Sequence, residues 1–487
     1  MTERPLNIIT IASEMVPFAK TGGLADVAGS LAQMYQQAGH RSIAIVPHYQ
    51  ASDKNILQAE STGIEFEVPI GHGTEKITVF RSRAVPGVTS YLIDHPYFNS
   101  RAGLYGTAQG DYQDNAQRFI LFARASLELI IRLGVNFDIV HCHDWQCGLI
   151  PVYLKNIYYN DPVIKDTKTV FTIHNLAFQG LFPPETMLAA GLPWSLFHID
   201  GLEFYGKMNF LKGGLSFSDH ITTVSPNYAR EILTPEFGCG LHGLLNILQH
   251  KLSGIINGID YSEWDPGTDR FLPARYYATD FTSKQTSKRL LCRRFGLKYQ
   301  AEKPLLGMVS RLSAQKGLDI LVECLPRLFE SNLDIAILGT GDIGYHELLI
   351  SRQQQHPERL GLKLAFDNEM AHLTYAGSDM FLMPSRYEPC GLGQLIALRY
   401  GAIPIVRNTG GLADTVVDYN QGLQKANGFS FNEYSPTAFS GAISRALNLF
   451  EDQPSWQQLM SSDMSCDYSW KASARKYLDL FYKLLAE

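Results

Sequence analysis

The hexapeptide Thr-Gly-Gly-Leu-Ala-Asp occurs twice in this chain, at residues 21–26 and again at 409–414. Each copy follows an apolar run typical of a β-strand and precedes apolar residues at helical spacing. Paired glycines let backbone N–H groups approach an anion, and the start of a helix adds partial positive charge. The repeat therefore predicts two nucleotide-binding-type domains, each with one such turn facing a shared substrate. The alternative is a coincidental pair of glycine turns, which an identity over six residues disfavours.

Length and composition limit the kind of protein that this can be. A chain of 487 residues with 45% hydrophobic residues exceeds one hydrophobic core and predicts two or three domains. The net charge of −6 and the lack of a Lys/Arg run argue against nucleic acid or an anionic membrane as a partner. Seven scattered cysteines without a Cys-x-x-Cys motif favour reduced thiols in the cytoplasm. An early strand at 6–12 leads us to expect no signal peptide, and no apolar run is long enough to span a bilayer.

Strand and helix patterns alternate through both halves of the chain, which predicts an α/β fold with parallel sheets. Short alternating runs between 62 and 94 predict edge strands appended to the first sheet. We predict a first Rossmann-like domain over 1–258 and a second over 259–465. A C-terminal helix over 466–487 carries apolar residues on one face and is expected to pack back on the first domain.

Two cations lie just after the first predicted strand of the second domain. Arg311 and Lys316 stand five residues apart, between a strand at 305–309 and a helix at 316–329. This placement suits neutralisation of a pyrophosphate, since Arg grips two oxygens and Lys supplies a point charge. The alternative is an exposed loop followed by a lysine at a helix start.

The segment 384–393 also follows a predicted strand and opens a helix. Glu388 stands there ahead of two glycines, where a carboxylate can bind sugar hydroxyls or stabilise positive charge at an anomeric carbon. The alternative is an acidic residue favoured by the helix dipole. Cys390 is interpreted as a small buried residue rather than a nucleophile.

His141 and His143 alternate along a strand and so share one face, which allows a metal-site interpretation. No third ligand at metal spacing is evident, so a site-lining or packing role is preferred. The chain also has no Asp-x-Asp pair, no phosphate-binding Gly-x-x-x-x-Gly-Lys loop and no Gly-x-Ser-x-Gly turn. We therefore expect transfer chemistry without a metal or another cofactor.

These motifs resemble those of bacterial glycogen synthases and plant starch synthases, two-domain glucosyltransferases of the GT-B type. The resemblance lies in Ser13-Glu14 with 20–27, 143–145, 172–180, 257–260, 310–317, 388–392 and 409–414. The fold implied by the resemblance is two Rossmann-like domains facing a central cleft, with the C-terminal helix crossing back to the first.

The activity that the resemblance implies is transfer of glucose from ADP-glucose to the non-reducing end of an α-1,4-glucan, with retained configuration. The nucleotide sugar and an α-glucan would be the partners, and association with glycogen or starch granules would follow. The residues carried over as catalytic are Arg311, Lys316, Glu388 and His174. Those carried over to the donor are Lys20, Gly22, Gly23, Asp26, Asn175, Phe366, Cys390, Gly391, Leu392, Thr409 and Gly410. Asp144 and Tyr105 are assigned to the acceptor side.

Two positions depart from the family pattern. Ile396 replaces a glutamate common among wider GT-B retaining enzymes, and Gly393 stands where bacterial relatives often have threonine. Both departures put donor affinity in question. Use of UDP-glucose by another retaining GT-B transferase, and a catalytically silent glucan-binding protein, stay open as alternatives. The oligomeric state is also left open.

Overall fold

The structure is a computed structural model, and it describes residues 4–52, 57–107 and 109–487. The strands are β1 (Asn7–Ile11), β2 (Arg41–Pro47), β3 (Glu60–Ile70), β4 (Gly73–Ser82), β5 (Thr89–Asp94), β6 (Gly106–Thr107), β7 (Gly110–Asp111), β8 (Ile139–His143), β9 (Lys168–Ile173), β10 (Leu181–Phe182), β11 (Glu203–Phe204), β12 (Lys207–Asn209), β13 (His220–Thr223), β14 (Leu252–Gly254), β15 (Leu305–Val309), β16 (Asp334–Leu338), β17 (Leu360–Lys363), β18 (Met380–Met383), β19 (Ile403–Arg407) and β20 (Phe429–Phe431). The α-helices are α1 (Gly23–Gln37), α2 (Pro96–Asn99), α3 (Asn115–Leu133), α4 (Leu149–Asn156), α5 (Thr186–Ala190), α6 (Phe210–Phe217), α7 (Pro226–Glu231), α8 (His242–Ile247), α9 (Lys284–Phe295), α10 (Leu318–Leu328), α11 (Ile343–Gln355), α12 (Asn368–Gly377), α13 (Gly393–Arg399), α14 (Gly410–Thr415), α15 (Pro436–Glu451), α16 (Gln453–Met464) and α17 (Trp470–Ala486).

The chain divides into two compact units. Unit 1 comprises residues 1–224, 229–255 and 470–487, and unit 2 comprises 225–228 and 256–469. The sequence-based boundaries at 258 and 465 fall within a few residues of these divisions.

Unit 1 is built on one sheet with the strand order β14-β13-β9-β8-β1-β2-β5-β4-β3. The strands from β14 to β5 run parallel, and β4 and β3 are added to them in antiparallel pairing. The predicted edge strands between 62 and 94 are thus present as β3, β4 and β5. Because β1, β8 and β9 are neighbours, the loops that follow their carboxyl ends are brought together.

The C-terminal helix α17 belongs to unit 1, as the apolar spacing predicts. Its buried face, which includes Tyr477, Phe481 and Leu484, packs in one cluster with residues of β1 and α1. The Phe481 ring lies 5.5 Å from that of Tyr35 and 5.7 Å from that of His141, centre to centre. The last residues of the chain therefore complete the core of its first half.

Unit 2 is built on a parallel sheet with the order β17-β16-β15-β18-β19-β20. Its main core combines apolar residues of these strands with α10 and α15. The strand predicted over 362–366 is β17 at 360–363, so Phe366 lies in the loop before α12 rather than in a strand. Asp367 begins that helix as a cap and accepts a hydrogen bond from the backbone N–H of Met370.

None of the helices formed by residues 4–52, 57–107 and 109–487 combines the length and apolar character that crossing a membrane requires.

Candidate active site

The first glycine turn closes around a carboxylate of the same unit. Glu14 follows β1 and is buried, and its side chain accepts hydrogen bonds from the backbone N–H groups of Thr21 and Gly22. The Thr21 hydroxyl donates to the other carboxylate oxygen at 2.7 Å. The anion that these N–H groups bind is Glu14 of the same unit, and contact of the turn with a substrate stays a prediction. The sequence motifs did not point to this role of Glu14, although its position directly after a strand end was a usable signal.

Glu14 also connects the turn to the predicted acceptor residue Tyr105. The Tyr105 hydroxyl donates to Glu14 at 2.6 Å and lies 2.8 Å from the Ser13 hydroxyl. Lys20 and Asp26, both predicted to meet the donor, form an exposed ion pair with each other at 2.7 Å. Gly23 begins α1, so its N–H is one of the first-turn donors that lack a partner within the helix.

Asp144 and His174 lie at the neighbouring strand ends. Asp144 follows β8 with a φ of +56°, a region that costs a non-glycine residue on the order of 1 to 3 kcal/mol and that concentrates at functional sites. Its carboxylate accepts a hydrogen bond from the His174 N–H at 2.7 Å and another from the Asn175 backbone. Loss of solvent, with Glu14 nearby, raises the pKa of Asp144 to about 7.

Three histidines cluster behind this residue, with His141 and His143 buried and His174 partly exposed. His143 Nδ1 lies 3.0 Å from His174 Nε2, and His141 Nε2 lies 2.7 Å from the Thr172 hydroxyl. Burial lowers the pKa of His141 and of His174 to about 3, and that of His143 well below its usual value. The three side chains are therefore neutral at physiological pH, in agreement with the site-lining or packing role preferred for His141 and His143. The catalytic role carried over to His174 stays a prediction.

We expect these groups to make unit 1 sensitive to acid. Between pH 6.5 and about pH 4 the unfolded chain takes up a proton at each of the three histidines, while Asp144 releases one because its pKa falls on unfolding. A net uptake of about two protons by these four groups means that they lower the free energy of unfolding by about 2.7 kcal/mol per pH unit of acidification. His220 of the same unit, whose pKa burial lowers to about 4, makes the slope steeper. Denaturant unfolding of unit 1 at several pH values measures this slope.

The variant His141→Gln removes one of these protonation sites. Its free energy of unfolding should therefore decrease by about 1.4 kcal/mol less per pH unit of acidification than that of the unmodified chain. His250→Gln, at an exposed position, is the matched control and should keep the original slope. An identical slope for His141→Gln would contradict a neutral, buried His141.

In unit 2 the predicted Lys316 and Glu388 meet. Lys316 ends a 3₁₀ turn after β15, and Glu388 follows β18, the strand next to it in the sheet. The Lys316 Nζ lies 2.5 Å from a Glu388 carboxylate oxygen, which also accepts from the Ser385 hydroxyl at 3.1 Å. Only 18% of the Lys316 side chain and 8% of the Glu388 side chain is exposed. The pair is thus shielded from solvent, which strengthens the attraction between its two charges.

The second glycine turn differs from the first in what it contacts. Gly410 has a φ of +45°, and a Cβ there would lie 1.9 Å from the Glu388 carbonyl oxygen. A Cβ on Gly411 would lie 2.1 Å from the Cys390 carbonyl oxygen, and the Gly411 N–H donates to the Glu388 carbonyl. In this copy the glycines let two loops pack backbone to backbone. The Gly411 N–H is therefore paired with a backbone carbonyl, whereas the Thr21 and Gly22 N–H groups of the first turn are paired with a side chain.

The segment after Glu388 is held by a buried glutamine. The Gln394 amide donates to the carbonyl groups of Cys390 and Gly391, and Gly391 has a φ of +74°. Burial raises the pKa of the Cys390 thiol to about 12, so Cys390 is a protonated packing residue and not a nucleophile. Leu392 caps α13 and is partly buried.

The remaining predicted residues of unit 2 are more dispersed. Arg311 is exposed and has no ion-pair partner in the portion of the chain that the structure describes. Thr409 is buried at the start of α14, beside Gly410. Phe366 is 89% exposed beyond the edge strand β17, two strands away from β15, and the structure does not bring it to the Lys316–Glu388 pair.

Within the described ranges, no group of three or more His, Cys, Asp or Glu side chains is placed to hold a metal ion. His141 and His143 contact Thr172 and His174 instead.

Comparisons with known proteins find glycosyltransferase relatives for both units. Residues 7–247 match the family model "Starch synthase catalytic domain", and residues 293–458 match "Glycosyl transferases group 1". The chain is 46% identical over 481 residues to a glycogen synthase of Geotalea uraniireducens, with 99% of each chain covered. The chain belongs to the glycogen synthase family. A second family member, from Koribacter versatilis, is 45% identical with 98% of each chain covered.

Two solved structures share the architecture of this glycogen synthase family member. The catalytic domain of starch synthase IV from Arabidopsis thaliana, bound to ADP and acarbose, superposes with a TM-score of 0.92 at 34% identity, covering 99% of this chain and 100% of that one. A sucrose-phosphate synthase of Thermosynechococcus elongatus has the same fold, with a TM-score of 0.61 at 15% identity. The resemblance drawn from the motifs, the α/β fold with two Rossmann-like units and the assignment as a glycosyltransferase are confirmed.

Proposed function

We propose that this glycogen synthase family member transfers the glucosyl group of ADP-glucose to the non-reducing end of an α-1,4-glucan, with retained configuration and without a metal ion. The observation that carries the proposal is the shielded Lys316–Glu388 pair at the carboxyl ends of neighbouring parallel strands, where such sheets bind ligands. A relative at 34% identity was solved with ADP and acarbose, a nucleotide and a sugar analogue. Nucleotide sugar and glucan are accordingly the two substrates that we assign here.

In unit 2 we assign Lys316 and Arg311 to the donor diphosphate. The exposed Arg311 is open to bidentate contact with phosphate oxygens, while Lys316 supplies a localised charge. Glu388 positions Lys316 through their ion pair and faces the sugar together with Cys390, Gly391 and Leu392. Thr409 and Gly410, packed against the Glu388 backbone, help to hold the distal phosphate.

In unit 1 we assign Lys20, Gly22, Gly23 and Asp26 to the donor. Asp144, His174, Asn175 and Tyr105 line the sugar and acceptor side. Glu14, which joins the glycine turn to Tyr105, is the positioning residue for this group. These assignments agree with the clustering of the side chains at the ends of β1, β8 and β9.

Retention requires either a carboxylate nucleophile or attack from the face of the leaving group. With a pKa of about 7, Asp144 is about half protonated at neutral pH, and its ionised form already accepts hydrogen bonds from the backbone of His174 and Asn175, which makes it a poor nucleophile. We therefore propose same-face attack, in which the acceptor hydroxyl passes its proton to the leaving phosphate as the new glycosidic bond forms. Lys316 and Arg311 would stabilise the charge that develops on the departing ADP.

Phe366 is the proposed platform for adenine. An aromatic ring that is 89% exposed has no packing function to explain it, and stacking of a base on such a ring contributes about 1 to 3 kcal/mol. We expect Phe366→Ala to raise the KM for ADP-glucose about tenfold, with little change in kcat. Tyr277→Ala, which also removes an exposed aromatic ring from unit 2, is the control. An unchanged KM in Phe366→Ala would refute this assignment.

Donor choice tests the proposed reaction directly. The purified chain should transfer radiolabelled glucose from ADP-glucose to glycogen in the presence of EDTA, and excess unlabelled UDP-glucose should compete only weakly. If the chain prefers UDP-glucose, the proposed donor is wrong but the proposed reaction class stands. If it transfers glucose from neither donor, a silent glucan-binding protein is favoured. We also propose that the enzyme works in a reducing, cytoplasmic compartment, because its seven cysteines are all free thiols.

A further inference from the structure

An exposed tyrosine in unit 1 occupies a turn position whose backbone conformation is unfavourable for a bulky side chain. Tyr205 and Gly206 form the two-residue turn between β11 and β12, with φ values of +48° and +78°. Turns of this kind favour Asn-Gly, and a bulky residue at positive φ costs on the order of 1 to 2 kcal/mol. The Tyr205 side chain is 83% exposed, so little burial offsets that cost. Strain of this kind concentrates at functional sites.

The ring of Tyr205 is supported from one side. Its centre lies 4.7 Å from that of Phe204 in an edge-to-face arrangement. The Phe204 ring in turn packs on Gly240, where a Cβ would lie only 2.9 Å from it. Cys239, just before Gly240, also has a positive φ, +48°, and is exposed. Two strained turns are therefore pressed together beneath an exposed aromatic ring.

A buried glutamine ties this hairpin to the loop that leaves the candidate active site. The Gln179 amide donates to the Cys239 carbonyl at 2.9 Å and accepts from the Asn209 amide at 2.7 Å. Its neighbour Phe178 is 58% exposed and lies four residues after His174, in a turn closed by the Phe178 N–H and the Asn175 carbonyl. Gln179 thus links the segment that carries Phe178 to the two turns around Tyr205, and that segment begins at the predicted site residues His174 and Asn175.

We propose that Phe178 and Tyr205 form an aromatic platform on which the α-glucan chain stacks, beyond the end that receives glucose. The proposal rests on the proposed function, because a glucan is the acceptor there. A glucose ring has an apolar face and a rim of hydroxyl groups, and tyrosine offers a matching apolar ring with a polar tip. Two aromatic side chains present far less than the roughly 800 Å² per partner that a stable protein interface needs, so a carbohydrate chain is the better occupant.

Affinity electrophoresis through gels that contain glycogen, without any donor, tests the platform independently of catalysis. Tyr205→Asn places a residue suited to the turn and removes the ring, and Phe178→Ala removes the second ring. We expect each variant to weaken glycogen binding about tenfold and to raise the KM for maltoheptaose, while the KM for ADP-glucose and the kcat stay unchanged. Tyr205→Asn should also melt at the same or a slightly higher temperature than the unmodified chain.

Tyr159→Ala is the matched control, because Tyr159 is 58% exposed in unit 1 but lies between α4 and β9, at the amino ends of the parallel strands. It should bind glycogen normally. If glycogen in the gel slows both platform variants as much as it slows the unmodified chain, the inference is overturned, even if that chain transfers glucose from ADP-glucose as proposed. A change in oligomeric state with glycogen binding intact would also overturn it, in favour of a contact between copies. If the unmodified chain transfers no glucose but loses glycogen affinity on Tyr205→Asn, the platform stands and the proposed reaction fails.

Discussion

Replacing Lys316 by alanine will lower kcat by about 10²-fold or more and leave the KM for glycogen nearly unchanged. Lys316 is the shielded cation of unit 2, 18% exposed and 2.5 Å from Glu388. If Lys316 stabilises negative charge that develops only as ADP departs, its loss raises the free energy of the transition state and not that of the enzyme with bound substrates. Loss of one donor at such a position typically costs 10² to 10³ in rate. Steady-state kinetics with ADP-glucose and glycogen measure the effect.

Truncating Lys316 also leaves the Glu388 carboxylate buried and unpaired, which by itself destabilises the site. The double variant Lys316→Ala/Glu388→Gln removes both charges, so thermal melting should recover while kcat stays low. Because Glu388 also faces the sugar, the single variant Glu388→Gln measures its own share of the loss in kcat. Lys425→Ala removes an exposed lysine of the same unit and should change neither property. An unchanged kcat in Lys316→Ala would remove Lys316 from the proposed chemistry.

Replacing Gly410 by alanine will abolish most of the activity and destabilise unit 2 by at least about 2 kcal/mol. Its φ of +45° is unfavourable for alanine, and the new Cβ would lie 1.9 Å from the Glu388 carbonyl oxygen. No flexible side chain can move aside, because the contact is with the backbone. The loop that carries Glu388 must therefore shift, and the pair with Lys316 shifts with it. Thermal melting and the transfer assay report the two consequences.

The other copy of the same hexapeptide supplies the control. Gly23 has no atom within 4 Å of the position that a Cβ would take, and its φ is not in the left-handed region. Gly23→Ala should therefore melt at the temperature of the unmodified chain, whatever it does to donor binding. Equal melting temperatures for Gly410→Ala and Gly23→Ala would contradict the packing described for the second turn.

Much of the fold was predictable because its signals are local. Buried parallel strands read as short apolar runs, and the alternation of strands with amphipathic helices identified the two parallel sheets. The apolar face of α17 predicted a helix that packs back on the first domain, and α17 does pack in the core of unit 1. The edge strand β17 begins two residues and ends three residues before the predicted 362–366, because the alternation of Leu362, Leu364 and Phe366 extends the apolar signal past the end of the strand.

Contacts between loops distant in sequence could not be predicted. Two identical hexapeptides contact different partners: Glu14 occupies the N–H groups of the first turn, whereas the Glu388–Cys390 backbone packs on the second. Nothing within the six residues distinguishes these outcomes. The pairing of Lys316 with Glu388, 72 residues apart, likewise depends on β15 and β18 being neighbours in the sheet. Sequence motifs thus identified residues of the candidate site but not which of these residues contact each other.

Proton NMR of the purified chain with ADP-glucose and maltoheptaose, in EDTA, tests the proposed transfer most directly. We expect new α-1,4 anomeric signals that grow at the rate of ADP release, and at least about 10²-fold slower growth with Lys316→Ala. Release of free glucose in place of glucan extension, formation of β-linkages, or a reaction that stops when EDTA is added would contradict the proposed function.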